Sequence, residues 1–439
     1  MPMEPRTHTR AGQRWALPRA FAIAAIVVAA LTAGCGDSSP APSASLSPTG
    51  IPAVTASPAA VPTTSPSSAS PPPESSAPPA VPATWSRVPK QPSVSGVQFQ
   101  LVVWTGTRFV ATGTALDASG VFLDSADGLT WHRQTSSLPT PSATALAAGP
   151  LGVVAVASTD DGATAWVSGD GLTWTRREDA FPAPKRIAGT SGPRSIQVTG
   201  IVATDDGWLA VGREDPDCQF DCGGAPLRAI VWKSPDGLAW KLVGDQKSLR
   251  GGGMNAVARF NSGFVAVGLR ASRAAVWTSP DGSAWSLVPD APLFHPQHGL
   301  DFGISMGGVA ADQGVVVAVG MDGLGSEDVS VRAWWSADGR MWHKATGQKF
   351  KSGQVFSVTS TPLGFLATGP TGDTSCLGGI WESIDGRTWT CTASGSKFAG
   401  FGPYAAAAST SVIVAVGLDG SGPESDQGLP GAVWWKPLH

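Results

Sequence analysis

A seven-residue stretch of the form Ser-x-Asp-Gly-x-x-Trp occurs six times between residues 125 and 389. Its serine and aspartate side chains can accept hydrogen bonds from backbone amides within a tight turn, and its glycine can adopt a positive φ. The tryptophan at its end has a large apolar area to bury. The aspartates and tryptophans are Asp127, Asp170, Asp236, Asp281, Asp338 and Asp385, and Trp131, Trp174, Trp240, Trp285, Trp342 and Trp389. The pattern predicts six equivalent turns, each leading into a strand that begins with a buried tryptophan.

Two strand patterns accompany the motif. A strand such as Phe264–Gly268, with the sequence Phe-Val-Ala-Val-Gly, has a relative in every unit, although alanine replaces the glycine in Val153–Ala157. In most units a further strand ends in a tryptophan two residues before the motif serine, as at Trp277. A short segment of small and β-branched residues, such as Met254–Arg259, comes before both. Four short strands per unit, repeated about every 50 residues, are typical of β-propeller blades.

The two ends of the repeat region predict how the ring closes. Trp434 occupies the place of Trp334 in the last unit, but no motif and no fourth strand follow it. Thr84–Val88 matches the strand that follows a motif, yet it comes before any first strand. An N-terminal strand that closes the last blade would also cover two sheet edges. We therefore predict an all-β fold, a seven-bladed propeller of four-stranded antiparallel blades, with six blades as the alternative.

The motif is similar to the Asp-box, or BNR repeat, of sialidase-like propellers, which runs Ser-x-Asp-x-Gly-x-Thr-Trp. All six copies here are one residue shorter between aspartate and tryptophan. The resemblance covers residues 84–439 and implies a propeller. Because Asp-box propellers include hydrolases, receptors and assembly factors, it does not imply one activity.

A sialidase-type reaction would require an arginine cluster, a tyrosine nucleophile and a glutamate partner. Tyr404 is the only tyrosine of the chain, and the Phe/Tyr-Arg-Ile-Pro stretch of sialidases is absent. We therefore assign no catalytic residue. The sequence predicts a non-catalytic module that binds a protein or a glycan, and the alternative is a carbohydrate-active, sialidase-like glycoside hydrolase.

The binding residues are expected on one face of the ring. In a four-stranded blade, the loops that leave the outermost strand share a face with those between the second and third strands, and the motif turns lie opposite. The long, variable loops all fall on the first face, which usually marks the binding face of a repeat protein. Candidate ligand-face residues are Arg250, Arg270, Arg273, His295, His298, Asp301 and Tyr404.

The N-terminal region has the features of an export signal. Basic residues precede an apolar run from Ala20 to Gly34, which is shorter than the roughly 20 residues of a spanning helix. The run ends in Leu31–Cys35, Leu-Thr-Ala-Gly-Cys, which resembles the lipobox of bacterial lipoproteins. The resemblance implies that residues 1–34 are removed and that Cys35 carries fatty acids such as palmitate. An uncleaved anchor helix is the alternative. Both predict export and attachment to the outer face of the bacterial cell membrane, within the cell envelope.

Residues 35–83 consist almost entirely of Ser, Pro, Ala, Thr and Gly. Such a composition cannot bury enough apolar surface to offset its ordering entropy, so it predicts a disordered linker. The predicted organisation is a signal peptide over 1–34, this linker over 35–83 and the propeller over 84–439.

Other partners are constrained by charge and by cysteine spacing. The chain has a formal net charge of −3 and no basic stripe, which argues against nucleic acid. Proximity favours Cys218–Cys222 and Cys376–Cys391 among the three pairings that four cysteines allow. A metal at Cys218 and Cys222 is disfavoured in an oxidising compartment. Proline between His295 and His298 breaks a helical ligand spacing to Asp301. We predict a monomer without metal or cofactor.

Overall fold

A computed structural model of the chain describes ten stretches between Thr84 and Leu438. They are 84–138, 143–159, 162–184, 194–216, 227–297, 303–324, 329–347, 353–371, 374–420 and 430–438. The predicted segments 1–34 and 35–83, with the lipidation candidate Cys35, lie outside them, as do Cys218, Cys222, His298 and Asp301.

Seven antiparallel sheets follow one another along the chain. Blade 1 contains β2 (Val97–Trp104), β3 (Phe109–Ala115), β4 (Gly120–Ser125) and β5 (His132–Leu138). Blade 2 contains β6 (Ala145–Gly149), β7 (Gly152–Thr159), β8 (Gly162–Ser168) and β9 (Thr175–Arg177). Blade 3 contains β10 (Arg194–Thr204), β11 (Gly207–Pro216), β12 (Arg228–Ser234) and β13 (Lys241–Leu242). Blade 4 contains β14 (Gly252–Phe260), β15 (Gly263–Arg270), β16 (Arg273–Ser279) and β17 (Ser286–Leu287).

The remaining three blades continue this order. Blade 5 contains β18 (Gly303–Asp312), β19 (Val315–Leu324), β20 (Ser330–Ser336) and β21 (Trp342–Lys344). Blade 6 contains β23 (Ser357–Thr361), β24 (Gly364–Thr368), β25 (Ile380–Ser383) and β26 (Thr388–Cys391), and β22 (Thr346–Gly347) adds a parallel strand to its outer edge. Blade 7 contains β27 (Phe401–Ala408), β28 (Val412–Asp419), β29 (Gly431–Pro437) and β1 (Ser86–Arg87). Short 3-10 turns lie at Pro92–Val94, Lys247–Leu249, Pro292–Phe294, Thr374–Cys376 and Ser396–Phe398.

The predicted seven-bladed propeller is confirmed, and the six-bladed alternative is wrong. Strand β1 closes blade 7 by pairing with β29, with Ser86 opposite Trp435 and Arg87 opposite Trp434. The Val88 amide donates to the Val433 carbonyl oxygen at 2.9 Å and extends this pairing. Among the described residues, no helix has the length and apolar character needed to cross a membrane.

The cysteine pair of blade 6 is a covalent link within the sheet. Cys376, in a 3-10 turn after β24, forms a disulfide with Cys391 at the end of β26. Cys376 is fully buried, so the bond lies within the apolar core between blades 5 and 6.

Apolar side chains are buried mainly between neighbouring blades. One core cluster joins Trp131 and Phe99 of blade 1 to Val414 and Val433 of blade 7, and equivalent clusters join other neighbouring blades. The indole nitrogen of Trp131 donates to the carbonyl oxygen of Gly128 in its own motif at 3.1 Å. Four other motif tryptophans repeat this bond, namely Trp240, Trp285, Trp342 and Trp389. Burial therefore leaves these polar indole groups with partners.

Trp174 is the exception among the motif tryptophans. Its indole donates to Oε1 of Gln134 in blade 1 at 2.8 Å, and its ring stacks on Phe122 with centroids 3.9 Å apart. It therefore bonds to the preceding blade and not to its own turn.

Each motif turn packs against the second strand of the preceding blade. A Cβ atom built on Gly386 of blade 6 would lie 2.3 Å from Cγ2 of Val317 in blade 5. The same clash recurs where Gly171 meets Val110 and where Gly282 meets Leu209. The motif glycine therefore provides both a positive φ and room for the neighbouring blade.

This contact predicts the outcome of a matched pair of substitutions. Gly386→Ala and Gly106→Ala both place an L-residue at positive φ, which costs about 1–2 kcal/mol. Only the new methyl group at Gly386 meets a packed neighbour, whereas nothing lies within 4 Å at Gly106. Overpacking should lower the free energy of unfolding of Gly386→Ala by a further 1–3 kcal/mol or so, measured by chemical denaturation. Equal losses of unfolding free energy in both variants would show that the contact between blades at Gly386 does not contribute to the cost.

Candidate functional site

Strand order divides the ring into two faces. We call the side with the first-to-second and third-to-fourth strand turns the motif face, because the six motif turns lie there. We call the other side the loop face; it has the second-to-third strand loops and the connections between blades. Several longer connections of the loop face, such as 217–226 and 421–429, lie outside the described residues.

The first strand of each blade is the innermost one and borders the channel. In five blades, one residue of this strand is left out of the regular pairing with the second strand. The register shifts by one residue at Gln100, Thr199, Asn255, Gly307 and Tyr404. Thr144 and Phe356 occupy the equivalent positions in blades 2 and 6, because their amides donate to Val156 and Thr368 at the matching place in the second strand. We call these seven residues the bulge ring.

The bulges explain the glycine that ends the Phe-Val-Ala-Val-Gly strand. A Cβ atom on Gly212 would lie 1.9 Å from the Gln197 carbonyl oxygen, and one on Gly320 would lie 1.9 Å from that of Ser305. Only glycine allows the bulged strand to approach this closely. In blades 2 and 6 the pairing of the first two strands begins just after this position and has no register shift, with Ala157 in blade 2 and Gly369 in blade 6.

Three bulge-ring side chains bridge neighbouring innermost strands. The Thr144 hydroxyl donates to the Val198 carbonyl oxygen at 2.8 Å. Thr199 donates to Met254 at 2.8 Å, and the Asn255 amide donates to Met306 at 2.9 Å. From blade 2 to blade 5, each innermost strand is thus linked to the next by a hydrogen bond from a side chain to a backbone carbonyl oxygen.

From Gly307 onward, the bulge ring has a glycine and then two aromatic residues in place of small polar side chains. This residue has no side chain, and the atom nearest to a Cβ built there is the Val355 carbonyl oxygen, 3.7 Å away. The next two positions are the half-buried rings of Phe356 and Tyr404, which stack with centroids 5.0 Å apart and planes 3° apart. The result is a position without a side chain, which we call the gap, next to a backbone acceptor and followed around the ring by an aromatic pair.

Gln100 completes the ring on the other side of Tyr404. Its amide nitrogen donates to the Thr114 hydroxyl at 3.1 Å. Its Oε1 atom is buried and has no hydrogen-bond partner among the described residues. A buried acceptor without a partner carries a free-energy cost that a hydrogen-bond donor can remove.

Tyr404, the only tyrosine of the chain, belongs to this ring. Burial raises the pKa of its phenol to about 12. A tyrosine nucleophile needs a lowered pKa or an adjacent base. The raised pKa keeps the phenol protonated at neutral pH and favours a packing role.

Three buried carboxylates that are not among the candidate ligand-face residues lie at the loop-face ends of second strands. Glu214, Asp322 and Asp419 follow the strand glycine by two residues in blades 3, 5 and 7. The Arg228 Nε atom lies 2.8 Å from Glu214 Oε2, and an Nη2 atom of Arg332 lies 2.8 Å from Asp322. Asp419 pairs with the guanidinium of Arg87 on the closing strand. Buried charges require such pairing, so these groups stabilise the loop-face ends of alternate blades.

Three of the predicted ligand-face residues, Arg270, Arg273 and His295, meet in blade 4 around Asp290, which was not among them. Arg273 lies 2.5 Å from Asp290, and His295 Nε2 lies 2.9 Å from the same carboxylate. Burial of Asp290 raises its pKa, but bonds and charges from His295 and Arg273 outweigh this effect and lower it. Arg270, Arg273 and Asp290 line a cavity of about 80 Å³. The cluster is a salt-bridged surface in which positive charge exceeds negative.

Arg250 lies beside this cluster, Tyr404 lies apart from it, and His298 and Asp301 are outside the described residues. Arg250 pairs with Asp245 at 2.5 Å, and its backbone oxygen accepts from Arg270. Tyr404 belongs to blade 7. Within the described residues, no three His, Cys, Asp or Glu side chains are grouped so that they could hold a metal ion.

The six motif aspartates are bound within their own turns. In blade 2, the Leu172 and Thr173 amides donate to Asp170 Oδ1 at 2.8 and 2.9 Å, and the Ser168 hydroxyl donates to the same oxygen. The Gly171 amide donates to the Ser168 hydroxyl at 2.8 Å. The acceptor capacity of these side chains is thus used to form the turn.

The comparisons with known proteins concern the fold. No protein-family model matches the chain, and no curated protein matches it. Similar solved structures include an α-L-arabinanase of Penicillium chrysogenum with arabinobiose (12% identity, 82% of this chain and 99% of that chain, TM-score 0.39). A Trypanosoma rangeli sialidase with sialic acid matches at 13% identity, over 80% of this chain and 58% of that chain, with a TM-score of 0.43. An α-L-arabinofuranosidase of Fusarium graminearum matches at 12% identity, over 82% and 98%, with a TM-score of 0.42. At these low values, the sugar chemistry remains a property of those proteins.

The turn geometry predicts a pH-dependent contribution of Asp170 to stability. Hydrogen bonds from the Thr173 and Leu172 amides and the Ser168 hydroxyl lower its pKa from 3.8 to about 2. A lowered carboxyl pKa stabilises the fold above the unfolded pKa, and this contribution is lost as the pH falls through the folded value. Asp170→Asn should therefore be less stable than the parent chain at pH 7, and the difference should shrink between pH 4 and pH 2. Thermal unfolding between pH 2 and pH 7 measures the stability difference between the two chains, and an NMR titration measures the pKa of Asp170. A stability difference that does not change with pH would contradict the role given to the Asp170 carboxylate.

Proposed function

We propose that this chain is a membrane-anchored, non-catalytic binding protein of the cell envelope that binds a glycan, as a monomer, at the bulge ring. One observation carries the proposal. The bulge ring has hydroxyl, amide and aromatic side chains and no carboxylate. Binding sites for small molecules combine apolar or aromatic surfaces with a few polar groups that fix orientation.

The gap at Gly307 supports a ligand at this place. The Phe356 ring, at the next position of the bulge ring, offers an apolar surface, and the Val355 carbonyl oxygen offers an acceptor. Gln100 adds an acceptor that is without a partner among the described residues. A sugar ring has apolar C–H faces and hydroxyl donors around its rim, so its chemistry complements these groups.

The arrangement of charges favours binding over glycoside hydrolysis. Most glycoside hydrolases use two carboxyl groups about 5–10 Å apart, one acting as an acid, whereas sialidases use a tyrosine nucleophile with a glutamate partner. Glu214, Asp322 and Asp419 are each paired with an arginine and lie in non-adjacent blades. The alternative, a carbohydrate-active enzyme, predicts sugar release that one Glu or Asp substitution on the loop face abolishes. A screen of the purified chain against oligosaccharides tests it, and such release would replace the binding proposal.

Filling the gap should abolish glycan binding. Gly307→Asn places an amide where Asn255 has one in the neighbouring blade, so that it can donate to Val355 and occupy the gap. Gly307 has an ordinary φ, which tolerates the substitution. On an array of neutral and acidic oligosaccharides, we expect at least tenfold weaker binding than for the parent chain, a loss of about 1.4 kcal/mol.

Gly244→Asn is the matched control, because it adds the same side chain to the loop face in open space. It should bind as the parent chain does. Equal binding by both variants would move the ligand away from the bulge ring. If the parent chain binds no oligosaccharide and captures an envelope protein through its loop face, the ligand is a protein instead.

The anchor at Cys35 has a separate test. Cys35→Ala removes the only side chain in the predicted lipidation motif that can carry the fatty acids. We expect the variant to move from the membrane fraction to the soluble extracytoplasmic fraction and to lose incorporation of labelled palmitate. Ser39→Ala, in the same segment, should stay with the membrane. Membrane retention of Cys35→Ala without label would favour an uncleaved helix.

A further inference from the structure

Exposed apolar side chains are distributed unequally between the two faces. Within the described part of the chain, the large exposed ones are Leu116, Leu151, Leu172, Met341, Leu363 and Ile384. All but Leu116 lie in turns of the motif face. The two most exposed are Ile384, at 88%, and Met341, at 68%, in the motif turns of blades 6 and 5. Turn tips of this kind are normally polar, so the apolar residues call for an explanation.

A close backbone contact links two of these side chains in blade 6, and Met341 lies in the motif turn of the neighbouring blade 5. A Cβ atom on Gly364 would lie 2.7 Å from the Ile384 backbone, which places the Leu363 turn beside Ile384. In blade 5, the Ser336 hydroxyl donates to the Met341 carbonyl oxygen at 2.6 Å. The two blades meet near these turns, where Arg387 of blade 6 lies over the ring of Trp335 in blade 5.

Two arginines flank the apolar tips. The guanidinium of Arg387 in blade 6 lies 4.4 Å from the ring centroid of Trp335, the residue before Ser336 in blade 5. Arg340 occupies the same motif position in blade 5 and is also exposed. The first four motifs have Leu129, Leu172, Leu238 and Ser283 at this position. We call Arg340, Met341, Leu363, Ile384 and Arg387 the seam patch.

The N-terminal chain enters the propeller next to the seam patch. Strand β1 is the fourth strand of blade 7, and fourth strands run from the motif face to the loop face. The start of β1 is therefore at the motif face. There the Trp85 indole donates to Glu382 Oε1 at 3.2 Å, two residues before Ile384. Residues 1–83 thus join the ring beside the exposed apolar tips.

We propose that the seam patch contacts the phospholipid surface to which the chain is anchored. This inference rests on the proposed lipidation of Cys35. Apolar tips insert at the boundary between headgroups and acyl chains, and arginine side chains extend to lipid phosphates. Arginine side chains near an anionic leaflet are attracted to its surface. Asp338 and Asp385 lie in the same turns and oppose this attraction, so the apolar tips provide most of the binding.

A weak surface contact suffices in a tethered protein. The anchor makes the contact intramolecular, with an effective concentration in the millimolar range for a flexible connection. The loop face, on the opposite side of the ring, then points away from the membrane, toward extracellular or wall glycans. The patch therefore assigns an orientation to the binding face.

A pair of environment-sensitive probes tests the contact. The lipidated chain, carrying Ile384→Cys labelled with a nitrobenzoxadiazole dye, is reconstituted into phosphatidylglycerol–phosphatidylethanolamine vesicles. Leu172→Cys, labelled in the same way, is the control, because Leu172 is an exposed motif-turn residue in blade 2. We expect brighter, blue-shifted emission and quenching by nitroxide lipids at residue 384, and little change at residue 172. Both positions are exposed, so labelling leaves the core intact.

The outcomes separate this proposal from the anchor. If the chain floats with the vesicles but the two probes respond alike, the seam patch does not contact lipid and the anchor stands. If the chain does not float, the anchor fails and this proposal fails with it. If the residue 384 probe responds to envelope protein extract but not to pure lipid vesicles, the occupant is a protein and the lipid proposal is overturned. In a label-free check, Met341→Ser/Leu363→Ser/Ile384→Ser should increase proteolysis of residues 35–83 on vesicles, and unchanged cleavage would count against the contact.

Discussion

The fold depends on burial between blades, because no single four-stranded sheet of this chain encloses a core of its own. Each motif glycine admits the second strand of the preceding blade into close contact, as Gly386 does for Val317. The motif tryptophan fills the same interface and bonds back to its own turn. Full burial of one such valine or larger side chain contributes on the order of 1.5–3 kcal/mol. Repeated around a closed ring, this contact makes every blade depend on two neighbours, including blade 7 through β1.

Two kinds of glycine have different structural roles in the blades. The motif glycine lies at one face and makes the packed interface between blades. The glycine that ends the second strand lies nearer the other face and permits the bulge of the innermost strand, as Gly320 does opposite Ser305. The first feature is nearly constant along the chain, whereas the bulge residue itself varies from Thr144 to Gly307 to Tyr404. The residue type is thus nearly constant at the interface between blades and variable at the position that borders the channel.

The architecture was predictable because its causes are local. Repeated turn residues and tryptophans mark the blades, and the unmatched strands at Trp85 and Trp434 predict the closure. The bulge ring was not predicted, since a bulge arises from the register between two strands and not from the composition of either. The strand glycine marks the close approach, as at Gly212 and Gly320, but it does not by itself predict a register shift, since blade 6 has Gly369 and no shift. The buried carboxylates are also absent from the candidate ligand-face residues, although an acid two residues after the strand glycine, as at Glu214, marks their position.

The predicted ligand face was only partly recovered as a structural unit. Arg270, Arg273 and His295 meet around Asp290 because a second-to-third strand loop and an inter-blade connection share one side of blade 4. Tyr404 was grouped with them from the face assignment alone, but blade order places it in blade 7, in the bulge ring. Sequence patterns assign residues to a face, whereas the angular position around the axis requires the count of blades.

The strand that closes the ring is also the mechanical junction between the propeller and everything N-terminal to it. A pull along residues 1–83 reaches Trp85 first, where the indole bonds to Glu382 and Thr392 and the Lys397 ammonium holds the backbone oxygen. Lys436 in turn bonds to Glu382 and ties this point to β29. Tension is therefore shared by blades 6 and 7 before it can separate a two-residue strand from its partner. The hydrogen bonds around Trp85 therefore strengthen the ring at β1, the strand whose loss would open it.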